Sequence, residues 1–228
     1  MHNYVIINNV SSSNIQGLYI SLLPNITKPP LRSIIENIDG VDGDVITKLG
    51  YDAYDKTLQI SLLENCNIND IELYFNSEGV ITFSNEPDKY YKYQILEQID
   101  FEQILKFKTA NIIIHCQPFK YKLNESSVTG NDSVSVTNYG NIKSKPLITL
   151  KGTANQTVSF YLNETQIFQY TFDSDEEVII DCEKQDAYYN GNLKNRNMIG
   201  EFPELNVGSN TITCNNAEIS ILANSRWL

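Results

Sequence analysis

Between Gly79 and Lys122, apolar residues fall at every second position in three successive runs, which is how a sheet with one buried face is written. Ile81 and Phe83 share a face in the first run; Tyr91, Tyr93 and Ile95 share one in the second, with Lys92 and Gln94 opposite. In the third, Ala110, Ile112, Ile114 and Cys116 point one way and Thr109, Asn111 and His115 the other. Pro118 is expected to stop that ladder, because it has no amide hydrogen to donate.

The residues before this stretch suit the same class. Tyr4–Ile7, Leu18–Leu23, Arg32–Ile38 and Leu58–Leu63 read as strands. Pro24 to Pro30 is a proline-marked loop, either a surface arm that reaches a neighbour in an oligomer or an ordinary connection. The acidic loop Asp39–Asp44 invites a calcium reading, but an EF-hand needs oxygen ligands at its first, third and fifth positions. Counted from Asp39, those positions fall on Val41 and Gly43; counted from Asp42, they fall on Asp44 and Ile46, and neither frame works. Gly40 and Gly43 are expected instead to supply positive backbone dihedrals in a tight loop, with Asp42 and Asp44 bonding local amides. One short helix is signalled over Asp70–Ser77: Asn69 as cap with Glu72 three residues on, Ile68 stapled onto Leu73, an apolar stripe of Ile71, Tyr74 and Phe75, and Gly79 beyond its end.

Polar turn-formers replace the alternation over Leu123–Asp132, which divides the chain into domains 1–125 and 126–228. Beyond the break, period-two runs recur: Val134 and Val136; Ile148 and Leu150; Val158, Phe160 and Leu162; Phe168, Tyr170 and Phe172; Val178, Ile180 and Cys182; Ile212 and Cys214; Ala217, Ile219 and Ile221. So many short strands, separated by turn signals, imply a β-sandwich. Asn190-Gly191 is a two-residue hairpin signal.

Several function classes are disfavoured. A formal charge of −11 from 17 basic and 28 acidic residues gives no basic cluster to neutralise phosphates. The four cysteines, Cys66, Cys116, Cys182 and Cys214, form no close pair, and His115 and Cys116 diverge on a strand, so a zinc site is not expected. Reduced, core-packed thiols are expected instead. The N-terminus lacks the basic start and apolar core of a signal peptide, and no run approaches a membrane span, so membrane insertion is not expected. With two histidines and no nucleophile elbow, phosphate loop or dinucleotide fingerprint, no enzyme is expected. Glu176-Glu177 and Asp173/Asp175 are paired acids within one turn, where a solvated surface explains them. No catalytic residue, cofactor or metal is assigned.

The Asn85-Glu-Pro-Asp-Lys-Tyr-Tyr91 connection, the polar Ile99–Lys108 stretch and the Cys116-Gln-Pro-Phe-Lys-Tyr121 exit resemble the distal tail protein family of long-tailed, siphovirus-type bacteriophages. Gly40–Asp44 followed by Gly50–Asp52 adds to the likeness. So do Val136-Thr-Asn138 with Gly140, Pro146-Leu-Ile148, Gly200–Pro203, Gly208-Ser-Asn210 and the terminal Arg226-Trp-Leu228. The resemblance implies a mostly β chain: an N-terminal β-sandwich-like ring domain with one short helix, then a C-terminal galectin-like β-sandwich. It further implies a structural tail hub, or baseplate component, built as a homohexamer in one ring or a pair. The implied partners are the tail tube protein, the tail-associated lysin or spike, the tape-measure protein and a receptor-binding protein. DNA would only transit a central channel. Such a protein would be made and assembled in the bacterial host cytoplasm and reside at the virion tail tip.

The alternative is a carbohydrate-binding, lectin-like protein acting in host-surface attachment. Tyr161, Tyr188 and Trp227 are its candidate glycan contacts, though a sandwich also needs aromatics for its core.

Overall fold

In a computed structural model, which describes residues 2–75 and 77–228, the chain forms two compact β units, one ending at Leu123 and the other spanning Asn124–Trp227. The first unit contains strands β1 (Val5–Ile7), β2 (Val10–Ser11), β3 (Leu18–Leu22), β4 (Leu31–Asn37), β5 (Asp44–Tyr51) and β6 (Tyr54–Leu62). These are followed by helix α1 (Ile68–Tyr74), β7 (Glu78–Phe83), β8 (Lys89–Gln94), helix α2 (Phe101–Phe107) and β9 (Thr109–Lys122).

The order β2-β1-β7-β8-β9-β6-β3 makes one curled sheet, with β9 as its hinge. The first half of β9, Thr109 to Cys116, pairs with β6, and its second half, out to Lys122, pairs with β8. The residues that alternate in sequence are the ones that pack: Ile81, Phe83, Tyr91, Tyr93, Ile112, Ile114 and Cys116 are all buried in one cluster.

Pro118 does not end the ladder; it lies inside β9. Four steps of β9, from Cys116 to Lys120, span only two of β8, from Tyr93 to Tyr91, so Pro118 sits in a bulge where no ladder amide is required of it.

Among the described residues two α-helices are present where one was expected. Helix α1 begins two residues early because Asn67, not Asn69, is its cap: the Asn67 side chain accepts from the Asn69 amide at 3.1 Å. Ile71, Tyr74 and Phe75 form the buried stripe, but Leu73 is 71% exposed and makes no staple. The expected helix end includes Asn76, which lies outside the described residues. Helix α2 occupies the stretch read as a polar connection. The Ile104 amide bonds the Asp100 carbonyl at its start, and Lys108, at φ 57, closes its end by donating to the Ile104 carbonyl at 2.8 Å.

The second unit runs β10 (Val128–Asn138), β11 (Leu147–Gly152), β12 (Thr157–Leu162), β13 (Thr165–Thr171), β14 (Glu176–Asp181), β15 (Asp186–Tyr189), β16 (Asn192–Leu193), β17 (Met198–Gly200) and β18 (Gly208–Leu222). The sheet order is β16-β15-β14-β11-β18-β12-β13-β17, with β10 also on β18. Strand β18 is the long seam. Its residues 218–222 pair with β11 and its residues 212–214 with β12, while β10 follows both halves. The register jumps from Asn131↔Glu218 to Asp132↔Cys214, and this bulge lets one sheet fold over on itself into a sandwich. Phe160, Phe168, Tyr170, Phe172, Ile212 and Ile219 fill the space between the two halves. The thiols of Cys182 and Cys214 sit among them, and burial pushes each up to about 12.

Gly140 marks a close approach. A Cβ there would stand 2.0 Å from the Arg226 carbonyl oxygen, while the Gly140 amide donates to the buried Asn138 side chain at 2.9 Å. Gly140→Ala is therefore expected to cost about 1–3 kcal/mol through forced backbone movement. Thermal unfolding reads this as a lowered midpoint; an unchanged midpoint would contradict it.

Candidate functional site

Among the described residues, strands β4 and β5 pair only with each other, as a two-stranded sheet. Ile35 faces Ile46 on one side of the ribbon, while on the other Ile34 faces Thr47 and Glu36 faces Val45. An ordinary hairpin would bury one of these faces. Here both are exposed, with Ile35 60% and Ile46 55% accessible on one and Ile34 47% and Val45 42% on the other. At the tip, Gly40 and Gly43 adopt φ values of 82 and 86, and no atom approaches within 4 Å of a Cβ built on either. Asp42 and Asp44 stand exposed beside them.

The base of the ribbon is fixed. Arg32 pairs with Asp52 at 3.4 Å, the Asp52 amide bonds the Pro30 carbonyl at 3.0 Å, and the rings of Tyr51 and Phe119 meet edge to face at 6.0 Å. The preceding loop, 24–30, is held at its start. Asn85 donates to the Pro24 carbonyl at 3.0 Å and Lys56 Nζ to the Asn25 carbonyl at 2.9 Å. Lys56 lies over the rings of Tyr54 and Tyr91 at 5.2 and 5.0 Å, and burial lowers its pKa.

A second feature lies on the C-terminal unit. Register places Asn131, Glu218, Lys151 and Glu177 in one row across β10, β18, β11 and β14. Thr129, Ser220, Thr149, Ile179 and Tyr188 form the next row on the same outward face. An open groove of about 1140 Å³ lies over part of these rows, lined by Asn131, Glu218, Lys151, Glu177, Ile179 and Tyr188 together with the neighbouring turns. Lys151 reaches Glu218 at 3.6 Å, and Thr129 donates to Ser220 at 2.9 Å. Asn190 and Gly191 take the central positions of the β15–β16 turn at φ 48 and 77 and form part of the rim.

Of the three aromatic candidates, Tyr188 lines this groove. Tyr161 is half-buried on β12, opposite Thr213, and Trp227 is half-buried near the C-terminus, so the three do not converge. The paired acids of 173–177 divide their work. Glu176 is buried, accepts from Tyr170 at 3.1 Å and pairs with Lys194 at 3.1 Å; Asp173 pairs with the same lysine at 3.0 Å. Those contacts assign them to holding the turn. Two features escaped sequence reading. Strand β5 was signalled only by the β-branched run Val45-Ile46-Thr47 after Gly43, and the polar rows depend on register between strands far apart in the chain.

Residues 139–227 match the family model described as the C-terminal domain of the siphovirus-type tail component. No curated protein matches the chain in sequence. Among solved structures, the crystal structure of the Dit protein of phage SPP1, titled a paradigm of the hub adsorption apparatus in phages infecting Gram-positive bacteria, is similar over 97% of this chain and 98% of that one. Its TM-score is 0.68 at 16% identity. A chain of the phage P2 baseplate in its activated conformation with Ca is similar over 97% of both chains, with a TM-score of 0.52 at 10% identity. These likenesses agree with the resemblance to distal tail proteins and establish the fold that the two units share with them.

Proposed function

We propose that this chain is the subunit of a hub at the distal end of a long phage tail, a ring of six copies that joins the tail tube to the tail-associated lysin or spike. The observation that carries the proposal is the β4–β5 hairpin: a ribbon anchored at its base, apolar on both faces and buried on neither, on a fold similar to that of a phage hub protein. Exposed apolar surface of that kind marks an interaction site. A six-fold ring excludes self-complementary pairing, so each subunit must offer two different patches, head to tail. The hairpin supplies one of them.

The role is geometric, with no bond made or broken. A net charge of −11 suits a channel that DNA crosses without sticking, provided carboxylates line it; a bore lined by Lys and Arg would end that idea. The tape-measure and receptor-binding proteins complete the partners proposed for it. The chain would be made in the host cytoplasm and end at the tail tip. Electron microscopy of virions labelled with antibody to this chain tests the reading: label at the tail end supports it, and label on the head or none on intact particles refutes it.

A further inference from the structure

We propose that the loop 24–30 is a strap that opens on its own in the folded subunit, with Lys56 as its latch. Lys56 stands on the core-facing side of β6, opposite Ile114 and in line with Leu58 and Ile60, and is 3% exposed. An apolar side chain would fit there without cost, whereas a lysine must bring its charge out of water. The compensation is incomplete. Glu86 is the carboxylate that faces both Lys56 and Lys120, and it bonds Lys120. The Lys56 ammonium is otherwise met by the faces of Tyr54, Phe83 and Tyr91 and by the Asn25 carbonyl at 2.9 Å. In the same cluster the Tyr54 hydroxyl is buried with no hydrogen-bond partner among the described residues. Letting water reach these two groups relieves both, which lowers the cost of opening.

The strap is lightly attached. Strand β3 ends at Leu22, opposite Gln59, and residues 23–30 run on without strand or helix. Pro24, Pro29 and Pro30 have no amide hydrogen to give. Pro24 and Pro29 are buried, and residues 25–28 between them are exposed. Besides the Lys56 bond, the start of the strap is tied by Asn85, which donates to the Pro24 carbonyl at 3.0 Å. A space of about 460 Å³ lies beneath it, lined by Pro24, Asn25 and Thr27 of the strap and by Lys56, Thr57 and Gln59 of β6. A segment with so few ties belongs to the part of a protein that opens before the whole unfolds. The hairpin follows the strap directly, so opening frees its approach to a neighbour; that consequence rests on the hub reading, and the opening itself does not.

The test is acylation of the purified chain by an N-hydroxysuccinimide ester at mildly alkaline pH, with each lysine followed by peptide mass spectrometry. Lys56 and Lys120 are both buried, but of the two it is Lys56 that lines the space beneath the strap. Unfolding of the subunit exposes both alike, whereas opening of the strap exposes Lys56 alone. Lys56 is expected to react at least about tenfold faster than Lys120, with exposed Lys28 as the reference for a free amine. Asn85→Ala removes the strap's other tie and is expected to speed Lys56 about fivefold while leaving Lys120 unchanged. Equal rates at the two lysines overturn the proposal, as does an Asn85→Ala effect that both share or that is absent at Lys56. Should Asn85→Ala fail to fold, the comparison of the two lysines in the parent decides by itself. The rates are read on the subunit whether or not it assembles, so failure here leaves the ring untouched.

Discussion

Aspartates at both Ile35 and Ile46 are expected to leave the chain folded and monomeric. The two side chains face each other on one side of the hairpin at 60% and 55% exposure, so the isolated subunit loses little when they become polar. Surface changes of this kind ordinarily move stability by no more than about 0.5 kcal/mol. In the assembled ring the same side chains would be covered by the neighbour, where burying each is worth about 1.5–3 kcal/mol. Two carboxylates in that contact would remove the favourable area and add charges without partners. The double variant should still unfold cooperatively, while its mass by light scattering falls to the 25.9 kDa monomer. A variant that still assembles would remove the hairpin from the interface.

The largest loss of stability is expected from Glu86→Ala. Glu86 is 9% exposed; it accepts from Lys120 Nζ at 2.8 Å and from the Tyr91 hydroxyl. Lys120 is itself 6% exposed, and Lys56 lies buried nearby over the Tyr91 ring. Removing the carboxylate leaves two buried ammonium groups without the anion that offsets them, which typically costs about 3–5 kcal/mol. Urea denaturation measures this directly. Replacing Glu86 by Leu together with Lys120 by Met should restore part of the loss, because it removes one of the two stranded charges along with its partner and leaves only Lys56. A Glu86→Ala cost under about 1 kcal/mol would mean that water reaches Lys120 in the folded state.

The sandwich of the C-terminal unit was legible almost residue by residue. Val158, Phe160 and Leu162, or Val178, Ile180 and Cys182, alternate because one face of each strand packs and the other does not, and all six are buried. The same logic explains what was missed. In β5, Val45 and Ile46 are neighbours that point to opposite sides of a ribbon buried on neither, so no alternation marks the strand. Pro118 was read as a terminator because sequence shows its missing amide but not the bulge that makes the amide unnecessary. Helix α2 carries its signal in Asp100 and Ile104, too few residues to stand out from a polar connection. The groove was beyond reach altogether: Asn131, Glu218, Lys151 and Glu177 become neighbours only through the separate registers of β10 on β18, β18 on β11 and β11 on β14.

Exposed apolar ribbons are costly to a lone subunit and useful to a ring, and the account rests on that contrast. The most direct measurement is the solution mass of the purified full-length chain, alone and with its tail neighbours, by light scattering. A closed assembly of six times 25.9 kDa in either condition is the expected result. A chain that remains at 25.9 kDa even when mixed with the tube and lysin proteins would contradict it.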